Sequence, residues 1–198
     1  MLWSAHPDLT SVWAANVDRS MAAYAVDAVL AFNEPDLCCA TCGSSCTDVA
    51  AAVAGYRQWV QPLAGRVRLG APAVTNGVGD NMGLSYLRRF MEGCVGCRVD
   101  FIPLHYYGSV HDLDGLQRHV EAAWEMFGRS IPIWVTEFGA AGGTEADTVA
   151  WLRVVLPWLD AQSYVERYAY FMASNAGPPC LLHENGTLTD VGKFYNSG

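Results

Sequence analysis

Two stretches of the chain run apolar and then stop on a carboxylate: Val29-Leu30-Ala31-Phe32-Asn33-Glu34-Pro35-Asp36 and Ile131-Pro132-Ile133-Trp134-Val135-Thr136-Glu137-Phe138-Gly139. Short continuous apolar runs bounded by turn residues predict strands buried on both faces. Each delivers a lone Glu to a loop, and Pro35 ends the first strand and stiffens its turn. Further strands are predicted at 1–3, 66–74, 99–108 and 165–172, with the Glu34 strand beginning near residue 25. Helical intervals intervene. Val12, Trp13, Val17 and Met21 predict a helix over 9–23, and Val49, Val53, Tyr56 and Val60 one from an Asp48 cap to residue 63. Leu84, Leu87 and Phe90 mark a third over 82–91; residues 112–127 and 145–159 form two more, and a short helix with Val191 and Phe194 closes the chain.

Strands alternating with helices about six times imply βα units on a parallel sheet. No repeat or linker interrupts residues 1–198, so one domain is expected. An open doubly wound sheet would place a glycine-rich phosphate loop after its first strand, and none follows Trp3 or Glu34. Candidate chemistry is spread over several strand ends instead, as in barrels. The expected fold class is therefore α/β, a (β/α)8 TIM barrel. A complete one has eight units and about 250 residues, so these 198 residues are expected to be its last six units, lacking the first two βα units.

Composition narrows the function. With 52% hydrophobic and 16% charged residues the chain is neither disordered nor a nucleic-acid coat. A net charge of -8 leaves no basic patch to displace counterions from phosphate, so no nucleic-acid partner is expected. No apolar run is long enough to span a bilayer, and the first residues have neither the basic nor the apolar region of a signal peptide. Seven Trp and nine Tyr suit a neutral ligand such as a sugar, although most aromatics serve the core. Of the seven cysteines, Cys38, Cys39, Cys42 and Cys46 crowd the loop after Glu34, Cys94 and Cys97 form a close pair, and Cys180 stands alone. The spacing could suit zinc, but no His neighbours the first cluster; disulfide staples in an exported protein are the favoured reading.

Two carboxylates at the C-terminal ends of parallel strands can converge on the active face of a barrel, and a converging pair is what glycoside hydrolysis requires. Glu34 and Glu137 are the candidate catalytic pair. A general acid must hold its proton near neutral pH, which burial and a second carboxylate favour. His105 and Tyr107 share strand parity, so both should face the pocket, Tyr107 to hold the nucleophile and His105 to orient a carboxyl or bind substrate. Asn33 could bind a sugar hydroxyl beside the reacting carbon, and Trp3 and Phe171 could offer stacking surfaces. Asp36 and Asp100 read as structural, and Cys94 with Cys97 as a staple.

Together, Phe32-Asn33-Glu34-Pro35-Asp36, Cys97-Arg98-Val99-Asp100-Phe101-Ile102 leading to His105-Tyr106-Tyr107-Gly108, Trp134-Val135-Thr136-Glu137-Phe138 and Glu166-Arg167-Tyr168-Ala169-Tyr170-Phe171 resemble glycoside hydrolase family 128, over nearly the whole chain. The resemblance implies a clan A barrel and retaining, usually internal, hydrolysis of β-1,3-glucan, with the acid/base at Glu34 and the nucleophile at Glu137. It implies a polysaccharide substrate, no cofactor and no metal, and an extracellular or cell-wall location; a monomer is expected. Tyr106 stands where the family usually has tryptophan, and the cysteine cluster after Asp36 is not a recognised family trait. Two alternatives stay open, a glucan-binding or cell-wall module without turnover and another clan A β-glycanase.

Overall fold

The computed structural model describes residues 1–39, 41–175 and 180–197. Its contacts gather into two compact units, Met1–Leu104 and His105–Gly198. Both are α/β, with parallel strands between helices. Among the described residues no helix is long and apolar enough to cross a membrane.

The first unit opens with α1 (Pro7–Ala23), its proline at the first turn where a missing N–H costs nothing. Trp13 and Val17 are buried and the Trp13 indole N–H donates to Trp59 O, but Val12, expected on the same stripe, is 46% exposed. α1 is followed by β1 (Ala28–Val29), α2 (Val49–Gly55), β2 (Arg68–Leu69) and α3 (Gly83–Gly93). Asp48 caps α2 as expected, its carboxylate accepting from Ala51 N–H at 2.9 Å. The predicted single helix to residue 63 is instead α2, a π-helical turn at Tyr56–Val60 and a 3-10 turn at Gln61–Leu63, the last with Pro62, which has no N–H to continue a ladder.

β1 and β2 pair in parallel, and further parallel bridges tie Asn33 to Ala73, Gly70 to Phe101 and Val74 to Leu104. Leu2 N–H donates to Leu30 O and Asn33 N–H to Trp3 O, so the expected first strand does lie along β1, although these bonds are too sparse to form a regular ladder. Four extended segments thus run side by side in the order 1–3, 28–33, 68–74 and 101–104. Ala31, Phe32, Leu69, Ala73, Val74, Phe101 and Leu104 are fully buried, which is why these stretches carry no polar alternation.

β3 (Ile102–Ser109) spans the point where the units divide. It begins the sheet β3-β4-β5, with β4 at Ile133–Ala141 and β5 at Val165–Tyr170. α4 (Gly115–Met126), α5 (Glu145–Ala161) and α6 (Asp190–Ser197) complete the second unit. β4 and β5 are parallel, but their register slips between Val135 and Phe138, so Thr136 and Glu137 sit on a bulge. α5 starts with a capping box in which Thr144 N–H and hydroxyl both donate to Asp147. Phe138, Trp151, Leu152, Val155 and Leu159 form the core.

The cysteines form disulfides, as expected, at Cys38–Cys46, Cys39–Cys42 and Cys94–Cys97. Cys180, outside these three, is buried.

Candidate active site

In the first unit the strand containing Phe32 leaves the core at Asn33 and turns sharply. Glu34 has φ 43°, the left-handed region that a residue with a Cβ adopts only under constraint. Its N–H donates to Ala73 O at 2.7 Å, tying the turn to the neighbouring strand. Asn33 and Glu34 are 6% and 8% exposed, buried yet at the rim of the unit. Trp3, whose carbonyl accepts from Asn33 N–H, is 39% exposed. With His6, Ser45 and Thr47 it lines a cavity of about 500 Å³.

Asp36 is buried and entirely occupied with structure. Its carboxylate accepts from Thr75 N–H (3.1 Å), from the Thr75 hydroxyl (2.5 Å) and from Gly83 N–H (2.8 Å) at the start of α3, where the helix dipole favours an anion. Gly83 has φ 51°, and a Cβ there would approach Gly77 O to 2.2 Å, so this turn admits glycine alone. Asp36 and Asp48 add to the effect of burial in pushing the nearby Tyr86 phenol up. Asp100, likewise structural, accepts from Leu69 N–H and Arg98.

In the second unit, strand pairing brings together four of the residues singled out above. The Tyr107 hydroxyl donates to Glu137 Oε2 at 2.6 Å, and His105 Nδ1 lies 3.5 Å from the same oxygen. His105 is fully buried, Tyr107 is 41% exposed and the Glu137 side chain is 23% exposed. The parity argument holds, since His105 and Tyr107 reach one face of β3 and Tyr106 the other. There Tyr106 is buried, its ring 6.0 Å from that of His119, and burial with nearby Asp112 raises its phenol pKa. Phe171 is 42% exposed and meets the Tyr107 ring edge-on at 6.0 Å; its N–H donates to Phe138 O.

Sequence reasoning missed how the supports are built. It did not foresee the bulge under Glu137, the Thr75 and Gly83 donors on Asp36, or Gly43, Ser45 and Thr47, which bond the Asn33–Pro35 backbone and amide. A weak signal for Gly83 was available, because a glycine at the head of an apolar helical stripe is costly unless the backbone needs it. Nor did it foresee that the Trp134 indole would donate to Glu166 and stack under Arg167, a structural use of all three residues.

Parallel βα units with carboxylates at the strand ends are the architecture of a glycosyl hydrolase catalytic core. The family model of that description matches residues 1–195. Among solved structures the chain is similar to a subgroup III curdlan-specific exo-β-1,3-glucanase of glycoside hydrolase family 128 from Blastomyces gilchristii, in complex with glucose. The identity is 37% and the TM-score 0.88, over 100% of this chain and 80% of that one. It is also similar to a subgroup I endo-β-1,3-glucanase from Amycolatopsis mediterranei in complex with laminaritriose, at 33% identity and TM-score 0.77 over the same shares. A third relative is Alkali-sensitive linkage protein 1 of Schizosaccharomyces pombe, 33% identical over 184 residues, 85% of this chain and 32% of that protein. The chain therefore spans about a third of the length of that relative. It belongs to glycoside hydrolase family 128.

Proposed function

We propose that the chain is one catalytic domain, built from the βα units of a (β/α)8 barrel, that hydrolyses β-1,3-glucan with retention at the anomeric carbon. Glu137 is the nucleophile and Glu34 the general acid/base, facing one glycosidic bond. A retaining pair needs its carboxyls about 5–5.5 Å apart. In the first step Glu137 attacks the anomeric carbon while Glu34 gives its proton to the departing oxygen. In the second, Glu34 takes a proton from water as that water displaces Glu137. Asn33 holds the sugar hydroxyl next to the reacting carbon, and Trp3 and Phe171 flank the chain.

The observation that carries this reading is the 2.6 Å bond from the Tyr107 hydroxyl to Glu137 Oε2 on a bulged strand end. A phenol donating to a carboxylate steadies its ionised, attacking form, and bulges re-aim side chains beside active sites. The likeness to family 128 glucanases supports the substrate class, and three disulfides support an extracellular or cell-wall setting. Glu137→Gln is expected to lower laminarin turnover by ~10³-fold or more; unaltered turnover would refute the assignment. The relatives include both exo- and endo-acting enzymes, so product lengths early in the reaction decide between the expected internal cleavage and release of glucose from a chain end.

A further inference from the structure

The turn that carries Glu34 is held on one side by a single loop. Ser45 N–H donates to Asn33 O (2.8 Å), the Asn33 amide donates to Gly43 O (3.0 Å), and Thr47 N–H donates to Pro35 O (2.9 Å). These three bonds bracket Glu34 from both neighbours, and all come from residues 43–47. The same loop is closed on itself by Cys38–Cys46 and Cys39–Cys42.

Beyond these bonds, the buried Tyr86 hydroxyl holds the far end of the loop by donating to Thr47 O at 2.7 Å. None of its described residues from 37 to 48 is buried. Cavities flank it on two sides, one of about 750 Å³ lined by Pro35, Asp36, Cys38, Cys46 and Tyr86, the other the cavity beside Trp3. A segment without an apolar anchor is ordered by hydrogen bonds and covalent closure, and closure acts by removing alternative chain conformations. Meanwhile Glu34 at φ 43° occupies a conformation that persists only where its surroundings over-determine it. The cysteine cluster, which the family resemblance leaves unexplained, lies where that determination is made.

We propose that residues 37–39 and 41–47 belong to a covalently closed clamp in which Cys38–Cys46 keeps Gly43, Ser45 and Thr47 in register with Asn33 and Pro35, so that reducing this disulfide loosens the turn of the general acid. Gly43, Ser45, Thr47 and the two cysteines are positioning residues, and the effect on turnover rests on the function proposed above. Cys38 and Cys46 are exposed and accessible to a small dithiol. In that exchange the S–S bond breaks, two cysteine thiols form, and the dithiol gives up two electrons and two protons to close as its own cyclic disulfide.

The test compares the parent chain with C38S/C46S and, as a control, C94S/C97S. The first readout is amide hydrogen exchange, which needs no substrate. Protection at Ser45 and Thr47 is expected to fall ~10-fold or more in C38S/C46S, while Ala73, bonded to Phe32 O in the core, keeps its protection. Unchanged protection at Ser45 and Thr47, or equal loss at Ala73, overturns the clamp. The second readout is laminarin turnover. C38S/C46S, or the dithiol-treated parent, should lose roughly 10-fold in kcat/KM, the size of one lost hydrogen bond to a positioned group, and C94S/C97S should match the parent. Asn33→Ala should then cost the parent more than it costs C38S/C46S, because the clamp acts through Asn33; equal costs in both backgrounds overturn that route. A parent chain without glucan turnover would count against the proposed function alone, with amide protection still deciding the clamp.

Discussion

The two strand ends carry the same side chain and hold it by opposite means. Glu137 stays within a strand, with Tyr107 and His105 presented to it from β3, and only a bulge departs from regular pairing. Glu34 has left its strand. Its backbone is left-handed, its N–H is bonded across to Ala73, and its neighbours are bonded to a disulfide-closed loop. In the role proposed for it Glu137 must stay ionised and aimed at one atom, which side-chain donors on a rigid sheet achieve. In the role proposed for it Glu34 gives and later takes a proton, and a turn sets its backbone. The two sites should therefore fail differently when their supports are removed.

The largest expected effect separates the two roles. Glu34→Ala and Glu137→Ala should each lower turnover of laminarin by ~10³-fold or more. On an activated aryl β-glucoside, whose phenolate departs without a proton, azide as a small added nucleophile should revive both, with opposite stereochemistry. It replaces water in the second step for Glu34→Ala and yields a β-glycosyl azide, but replaces the missing carboxylate for Glu137→Ala and yields the α anomer. Chromatography and NMR of the products check this, and the same anomer from both variants would dissolve the contrast.

Next in size is Asp36→Ala, which orphans the buried donors Thr75 N–H and Gly83 N–H. It should destabilise the fold by roughly 2–4 kcal/mol in chemical denaturation. A smaller loss is expected of Tyr107→Phe, about 10- to 100-fold in kcat with the melting temperature nearly unchanged, because the bond removed is to a charged acceptor on a partly exposed site. Should Tyr107→Phe instead destabilise as much as Asp36→Ala, the second strand end would be no more a dedicated support than the first.

The smallest effect lies at the start of α5. Thr144 N–H and hydroxyl hold Asp147 below the usual carboxylate range. A depressed folded-state pKa contributes stability that is complete above the unfolded value and lost as pH falls through the folded one. Acidification below the ordinary carboxylate range should thus fray the first turn of α5 slightly, and NMR titration of Asp147 should place its midpoint on the acidic side of a model aspartate.

Much of this was legible in the amino-acid order. The uninterrupted burial of Phe32, Ala73, Phe101 and Val135 demanded apolar residues on both faces of each strand, so the strands announced themselves. The strand-end glutamates stood out because each is a lone carboxylate at the end of an apolar run. The parity of His105 and Tyr107 followed from the two-residue period of a strand. Val12 misled because it adjoins the buried Trp13, and spacing alone cannot say how wide the covered face of a helix is. The π-helical turn after Gly55 and the bulge at Thr136–Glu137 left no periodic mark, since each is a local change of hydrogen-bond register.

By itself the sequence determined the alternation of strands and helices and the family, because hydrophobic period and motif spacing are properties of order along the chain. Only the tertiary structure decided which donors Asp36 braces, how closely Tyr107 approaches Glu137, that Tyr106 turns into the core, and that a disulfide loop holds the Glu34 turn. Those outcomes depend on donors and acceptors tens of residues apart meeting at hydrogen-bond distance, and no local pattern encodes such a meeting.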